Sequence, residues 1–271
     1  MKAMTTVCPI EDISDPGAHS LLQLGPLSVL RLDKMGGLAP GNKWYKLSRM
    51  MSEAKAQGMF RVVSFGGAWS NHLHALAAIG AQQGLQTVGI VRGEASETPT
   101  AMLRDARAWG MQLVHVSRAE YQQRHDSDYQ TRLQQRFHPC LVIPEGGASA
   151  EGARGAMAIA QLIQDSGYAG GRVIVPVGTG TTLAGLVAGL GAGYLVTGIS
   201  ALKGAHDLEQ RVEQALHAIE ARPEHRAAWR IEHEYHCGGF GRASAALKEF
   251  MLAFEQQHTM ALDPVYTGKM L

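Results

Sequence analysis

Short apolar runs alternate with longer amphipathic stretches along most of this chain. The runs are rich in β-branched and aliphatic residues, and each ends at a glycine or a polar residue, which is typical of buried β-strands. The strands predicted in this way cover residues 27–32, 61–65, 87–91, 113–116, 141–143, 173–177, 195–199 and 230–234.

The stretches between the runs carry apolar residues at helical spacing. They predict helices near residues 44–57, 71–83, 98–109, 118–136, 151–165, 181–190, 206–220 and 242–257. A repeated order of strand and helix is typical of parallel α/β proteins. A TIM barrel has the same alternation, but here the unusual residues fall in a few glycine-rich turns. That distribution favours open sheets with a ligand at the carboxyl ends of the strands.

The composition excludes several classes of protein. The chain has 271 residues, of which 45% are hydrophobic and 18% charged, and 25 Lys+Arg against 24 Asp+Glu leave a net charge of +1. Such a chain can bury a core, and it carries no charge excess that would attract nucleic acid or an anionic membrane. The 32 glycines exceed the average usage of about 7%. Without a repeat to explain them, they indicate local backbone geometry.

Three further features place the protein in the cytoplasm and away from membranes. Cys8, Cys140 and Cys237 are scattered and odd in number, which argues against a secreted disulfide framework. The N-terminus has no pattern of a secretory signal peptide. The uncharged segment 173–200 is interrupted by proline and glycines, so it predicts a strand, a helix and a strand rather than a bilayer span.

The segment VIVPVGTGTTLAGL, residues 173–186, leads an apolar strand into a glycine and threonine turn and then into a helix. Backbone amides at a helix N-terminus bind phosphate well. The turn lacks the Gly-Lys-Ser/Thr of a P-loop and the third glycine of a dinucleotide fingerprint. A tight turn capped by Thr181 is an equal alternative on these residues alone. A nicotinamide-dependent oxidoreductase would rest on the glycine turns only.

The segment VVSFGGAWSNHLHALAAIG, residues 62–80, repeats this arrangement with Gly66 and Gly67 before Ser70 and Asn71. Serine and asparagine are common N-cap residues, so a plain helix start explains them. The same amides and hydroxyl would also hold a carboxylate. The local residues leave both interpretations open.

The segment GGLAPGNKWYKL, residues 36–47, places Lys43 at the start of a helix. A cation there opposes the helix dipole. The alternatives are a solvated surface lysine or an amine that forms a Schiff base. Lys46, one turn later, either lowers the pKa of Lys43 or is solvated. Near the C-terminus, LDPVYTGKML includes Tyr266 after a predicted turn. The twelve histidines are dispersed, and the sequence predicts no metal site.

Five motifs, GNKWYKL, GGAWSNHLHALAA, PEGG, GTGTTLAG and DPVYTGK, follow one another along the chain. In this order they resemble the fold-type II pyridoxal-phosphate enzymes of the 1-aminocyclopropane-1-carboxylate deaminase and D-cysteine desulfhydrase family. The resemblance spans roughly residues 20 to 271. It implies pyridoxal 5'-phosphate as cofactor and a tryptophan-synthase-β-like fold of two open, mostly parallel twisted sheets flanked by helices.

The resemblance also implies residues that hold the cofactor. Lys43 matches the lysine of the Schiff base, Asn71 lies beside the ring hydroxyl, and the GTGTT turn surrounds the phosphate. The implied cofactor-binding residues are Lys43, Asn71, Gly178, Thr179, Gly180, Thr181, Thr182 and Thr267.

Catalytic and substrate-binding residues follow from the same resemblance. Ser70 matches the nucleophile or acid/base of the deaminase, and Tyr266 matches a tyrosine beside the cofactor ring. The implied catalytic residues are Lys43, Ser70 and Tyr266. The implied substrate-binding residues are Gly67, Ser70, Asn71 and His72.

Two departures from the deaminase pattern bear on the reaction. Thr267 occupies the place of a glutamate near the pyridine nitrogen, and Phe240 stands where relatives usually carry tyrosine. Both weaken the case for ring opening. The predicted function is a lyase or deaminase of a small amino acid, either by desulfhydrase-like β-elimination to a 2-oxo acid and ammonia or deaminase-like. The alternative is a cofactor-binding protein with weak or no catalysis, because of Phe240 and a C-terminus at Leu271 that looks truncated against relatives.

The resemblance finally implies the domain organisation. A large cofactor-binding domain would combine residues 1–45 and 151–271, and a small α/β domain would cover residues 46–150. A homodimer is expected on the same grounds.

Overall fold

The computed structural model describes residues 8–13, 26–35, 37–38 and 40–271. Its strands are β1 Ile10–Asp12, β2 Ser28–Leu30, β3 Arg61–Gly66, β4 Gln86–Arg92, β5 Gln112–Val116, β6 Cys140–Val142, β7 Gly171–Val177, β8 Tyr194–Ser200 and β9 Ala228–Glu232. Its α-helices are α1 Asn42–Ala56, α2 Asn71–Gln83, α3 Ala101–Ala108, α4 Arg118–Gln122, α5 Ser127–Phe137, α6 Ala150–Asp165, α7 Thr181–Leu190, α8 Leu208–Ala218, α9 Ala245–His258 and α10 Thr267–Met270.

The chain divides into two compact units. One unit is the continuous segment Gly36–Ala156, and the other combines Met1–Met35 with Met157–Leu271. The continuous unit starts before the predicted small domain, 46–150, and ends after it. Helix α1 crosses the predicted boundary at residue 46, and its Leu47 and Met51 are fully buried in the core of this unit.

The continuous unit is built on a parallel four-stranded sheet in the order β5-β4-β3-β6. Alternate residues of β3 enter different core clusters, with Val62 in one and Val63 and Phe65 in the other. This alternation explains why apolar residues of β3 do not alternate with exposed polar ones, since both faces of the sheet are covered. Helix α2 approaches the sheet closely at Gly80, where a Cβ would lie 2.4 Å from Thr87 Cγ2.

The discontinuous unit contains a parallel sheet in the order β7-β8-β9 and an antiparallel pair of β1 and β2. Helix α7 is almost wholly buried, as its apolar composition requires. A Cβ at Gly198 would lie 2.6 Å from Val177 Cγ2, so this glycine allows close packing inside the unit. Phe254 of α9 and Ile13 are buried together in a smaller cluster.

The predicted class, α/β with mostly parallel sheets flanked by helices, is confirmed. The prediction of one helix over residues 118–136 is wrong. The structure has α4 and α5 there, because the Asp126 carboxylate accepts a hydrogen bond from the Tyr129 amide at 2.9 Å and starts a new helix. Strand β1 and helix α10 were not predicted, since both are too short for a periodic signal.

Candidate active site

Lys43 lies in the first turn of α1, a turn without acidic residues. Gly41 precedes this helix with a φ of 106°, a value that favours glycine. The Lys43 side chain is half-buried, and burial lowers its pKa to about 8. Near neutral pH a useful fraction of this amine is therefore uncharged and nucleophilic.

Lys46 is 1% exposed, so the alternative of a solvated lysine is wrong. Its ammonium group donates a hydrogen bond to the Gly146 carbonyl. Burial, and next the charge of Lys43, hold the pKa of Lys46 well below its usual range. Gly147 packs on the same side chain, because a Cβ there would lie 3.4 Å from Lys46 Cε. The PEGG motif thus serves as a support for α1.

Ser70 is the N-cap of α2, and its Oγ accepts a hydrogen bond from the Leu73 amide at 3.2 Å. Ser70 is therefore an N-cap residue, as a plain helix start requires. Its oxygen only accepts in this hydrogen bond, so its hydroxyl proton can still be donated to another group. The preceding turn is tight, since a Cβ at Gly66 would lie 2.4 Å from Ser70 Oγ. Asn71 follows as the first residue of α2.

Two side chains near this turn differ in their surroundings. Arg92 is exposed, and its Nη2 lies 3.5 Å from the place of a Cβ at Gly67. Within the described residues, Arg92 has no acidic partner; its guanidinium lies over the Tyr121 ring at 5.6 Å.

His72 is 4% exposed, and its Nε2 lies 2.8 Å from Ser64 Oγ. Burial, and then the charges of Lys43 and Lys46, keep the pKa of His72 well below its usual range.

The other unit presents the glycine and threonine turn between β7 and α7. Gly180, with a φ of 79°, is the N-cap. Thr181 is already helical, so the alternative of a turn capped by Thr181 is wrong. Because Gly180 has no side chain to cap the first-turn amides, those amides and the helix dipole favour an anion. The hydroxyls of Thr179 and Thr181 lie 2.9 Å apart at this end of the helix, and Thr182 follows within it.

Tyr266 lies against this turn. Its hydroxyl oxygen is 3.1 Å from the place of a Cβ at Gly178, so a side chain at this position would require the tyrosine to shift. The ring of Phe240 packs edge-on against Tyr266, with ring centres 6.1 Å apart. The carboxylate of Asp263 accepts the Tyr266 amide at 2.7 Å. Thr267 Oγ1 accepts the Asp263 amide at 2.7 Å, which ties the predicted partner of the pyridine nitrogen into its own turn.

The predicted site residues thus form one group in each unit. Lys43, Ser70, Asn71, His72 and Gly67 belong to the continuous unit, and Tyr266 and Thr267 join the GTGTT turn in the other. Sequence reasoning missed Ser64 as a partner of His72. A polar residue inside the apolar run VVSFG was the available signal, because buried polar groups need partners.

The chain belongs to a family described as pyridoxal-phosphate dependent enzymes, and the family pattern matches residues 23–271 of this chain. The D-cysteine desulfhydrase of Serratia proteamaculans is 30% identical over 244 residues, which are 84% of this chain and 74% of the relative. A putative 1-aminocyclopropane-1-carboxylate deaminase of Pyrococcus horikoshii is 24% identical over 91% of this chain and 78% of its own length. A solved structure described as an ACC deaminase homologue shares the fold with a TM-score of 0.75, at 24% identity over 90% of this chain and 77% of its own.

The protein is therefore a pyridoxal-phosphate-dependent enzyme. The residues present fit this cofactor: an amine of lowered pKa suits its aldehyde, and a helix N-terminus whose N-cap residue is glycine suits its phosphate. None of these findings supports the alternative of a protein without catalysis. In the described part of the chain, no helix has the length and apolar character to cross a bilayer. Nor do those residues contain a group of three His, Cys, Asp or Glu side chains that could hold a metal ion.

Proposed function

We propose that this enzyme is a lyase that removes a leaving group from the β-carbon of a small amino acid and releases a 2-oxo acid and ammonia. The observation that carries the proposal is the half-buried Lys43 amine with a pKa of about 8, in a chain that is 30% identical to a D-cysteine desulfhydrase. An amine titrating near working pH is suited to moving a proton.

Each group of residues has a place in binding the cofactor. Lys43 would form the Schiff base with its aldehyde, and the amides and hydroxyls of the GTGTT turn would hold its phosphate. On the family resemblance, Asn71, Tyr266 and Thr267 would contact its ring. When bound, pyridoxal phosphate withdraws electrons from the α-carbon of an amino acid.

The chain's own residues position the substrate and move its proton. The Gly67 turn, Ser70 and Asn71 bind the substrate carboxylate. The Arg92 guanidinium, which has no acidic partner among the described residues, lies near Gly67 and strengthens this site for an anion. The Lys43 amine would take the proton from the α-carbon of the substrate. Ser70 keeps its hydroxyl proton available, because its oxygen only accepts in the N-cap.

Two residues favour elimination over opening of a cyclopropane ring. Thr267 carries no charge, and its oxygen accepts a backbone amide, so it is a weak partner for a pyridine nitrogen. Phe240 lacks the hydroxyl of the tyrosine that the resemblance predicts there. Elimination of a good leaving group, such as sulfide, needs less electron withdrawal than breaking a carbon–carbon bond.

The test is a panel of amino acids with release of 2-oxo acid, ammonia and sulfide as the readout. The panel contains D-cysteine, L-cysteine, D-serine, 3-chloroalanine and 1-aminocyclopropane-1-carboxylate. We expect turnover of a substrate with a β-leaving group and loss of it, together with the visible cofactor band, in Lys43→Ala. Lys55→Ala, on the exposed part of the same helix, is the control. Bound cofactor without turnover of any compound would overturn the proposal.

We also propose a cytoplasmic homodimer. The family resemblance suggests the dimer, and the three free cysteines suit a reducing compartment. Light scattering after size exclusion measures the mass, and a monomer at micromolar concentration would contradict the dimer.

A further inference from the structure

A positively charged side chain lies against the Gly67 turn. Strands β3 and β4 pair in parallel with Gly66 opposite Val91, so Arg92, the last residue of β4, comes next to Gly67. Arg92 Nη2 lies 3.5 Å from the place of a Cβ at Gly67. The guanidinium is therefore at the carboxyl edge of the sheet, where open α/β sheets bind their ligands.

An aromatic ring orients this guanidinium. Arg92 Cζ lies 5.6 Å from the centre of the Tyr121 ring, within the range of a cation–π interaction. Tyr121 is 2% exposed, and its hydroxyl donates a hydrogen bond to the Glu145 carboxylate at 2.7 Å. Because Tyr121 is buried and hydrogen-bonded, its ring is a fixed support for the exposed Arg92 side chain.

The charges around this ring do not balance. Arg124 also lies over the ring, with its Cζ 5.0 Å from the ring centre, and its Nε donates to Glu145 at 2.6 Å. Glu145 therefore neutralises Arg124. Among the described residues, Arg92 forms no ion pair and no side-chain hydrogen bond. Its guanidinium keeps its N–H donors available for an anion.

The α-carboxylate of the substrate has other donors in the proposed function. These are the Gly67 turn and the N-terminus of α2, where Ser70 and Asn71 lie. Backbone amides and the helix dipole at such a place suit one carboxylate. An oriented arginine beside them adds a full positive charge. That charge suits a second anionic group on the same substrate, since a planar guanidinium pairs well with carboxylate and phosphate oxygens.

We propose that Arg92 is a specificity-determining residue, which binds a negatively charged group on the side chain of the substrate. The preferred substrates are then amino acids whose β-substituent is anionic, such as a phosphate or sulfate ester. The inference rests on the proposed function and names the substrate class of the same site.

For O-phosphoserine the reaction is an elimination. The Lys43 amine takes the proton from the α-carbon, and the electron pair of the broken C–H bond forms the double bond of 2-aminoacrylate. The bond between the β-carbon and the ester oxygen breaks, and phosphate leaves with that electron pair. Water then converts 2-aminoacrylate to pyruvate and ammonia.

The first test measures binding, which does not depend on elimination. Aspartate and asparagine are nearly equal in size and differ in the charge of the side chain. Calorimetry with both enantiomers of each measures their Kd for the enzyme with cofactor. We expect the wild type to bind one enantiomer of aspartate about tenfold more tightly than the matching asparagine, and Arg92→Gln to bind the two equally. Arg107→Gln, which removes an exposed cation of α3, should keep the preference. A wild type that prefers aspartate in neither configuration would overturn the inference.

The second test measures turnover of O-phosphoserine and O-acetylserine by release of pyruvate. Arg92→Gln should lower kcat/KM about tenfold for O-phosphoserine and at most about twofold for O-acetylserine. Equal losses with both would also overturn the inference, because they would assign Arg92 to the α-carboxylate that both compounds share. Failure of the proposed function is distinct. It would appear as a wild-type enzyme that releases no pyruvate from either ester but still prefers aspartate in calorimetry.

Discussion

At the scale of single residues, the site depends on amines that the fold keeps poorly solvated. Lys43 and Lys46 lie one turn apart on α1, and burial is the largest cause that lowers the pKa of both. A buried ammonium needs acceptors, and Lys46 finds one in the Gly146 carbonyl. The half-buried Lys43 instead keeps a pKa near the pH at which it would act.

This lowered pKa predicts a pH dependence of stability in the protein without cofactor. The pKa of Lys43 is about 8 in the folded chain, against about 10.4 when unfolded. Between these values the unfolded chain binds more protons, so this lysine makes stability rise with pH across that window and costs stability below it. We expect the free energy of unfolding of Lys43→Met to exceed that of the wild type by about 1 to 2 kcal/mol near pH 7, after allowing for the partial exposure of Lys43.

The measurement is the free energy of unfolding in urea as a function of pH. The advantage of Lys43→Met should disappear as the pH approaches about 10.4. Lys55→Met, which changes an exposed lysine of the same helix, should show no such trend. An advantage of Lys43→Met that does not change with pH would contradict the prediction.

At the scale of elements, two glycine-containing turns of the candidate site lie where a parallel strand ends and a helix begins. Strand β3 leads through Gly66 into α2, and β7 leads through Gly178 into α7. In each case a glycine leaves room for a side chain of the proposed site, Ser70 beside Gly66 and Tyr266 beside Gly178. A Cβ at Gly66 would clash with Ser70, and a Cβ at Gly178 would require Tyr266 to shift, although neither glycine has a positive φ.

Two neighbouring glycines of the first turn provide a matched test of this packing. A Cβ at Gly66 would lie 2.4 Å from Ser70 Oγ, whereas one at Gly67 would meet its nearest neighbour at an ordinary 3.5 Å. We expect Gly66→Ala to displace the N-cap serine, to destabilise the protein by about 1 to 3 kcal/mol and to abolish turnover. Gly67→Ala should retain most of the stability. Thermal unfolding measures the stability of the two variants, and release of sulfide measures their turnover. Equal losses of stability in Gly66→Ala and Gly67→Ala would contradict the argument.

At the scale of the whole molecule, the two units differ in how the chain builds them. The unit Gly36–Ala156 is continuous and has its own parallel sheet and two core clusters, whereas the other unit is assembled from two separate segments. A continuous unit with its own core can fold alone.

We therefore expect a fragment of residues 36–156 to unfold cooperatively by circular dichroism. The shorter fragment 46–150, which follows the predicted domain, lacks the first turn of α1. It also loses the contact at Gly155, where a Cβ would lie 2.1 Å from the Tyr45 carbonyl oxygen. The unfolding midpoint of fragment 46–150 should therefore be lower than that of fragment 36–156. A fragment 36–156 without a cooperative transition would show that this unit depends on the remainder of the chain.

Sequence periodicity predicted most strands and helices here because buried parallel strands are continuous apolar runs. It failed between α4 and α5, where the side chain of Asp126 starts a new helix inside an otherwise continuous helical pattern. The choice between a cap and further chemistry at Ser70 also lay beyond the sequence. The structure shows a cap that still has a proton to donate.

The sequence by itself determined the fold class, the family and the turns that hold the chemistry, because these depend on periodicity and on residues close together in the chain. Only the tertiary structure decided how the amines are solvated and that Ser64 is the hydrogen-bond partner of His72. Those properties depend on groups far apart in sequence: the carbonyls of Gly146 and Ile143 determine the surroundings of Lys46 and Ser64. Burial and hydrogen bonding of this kind arise only when the chain has folded.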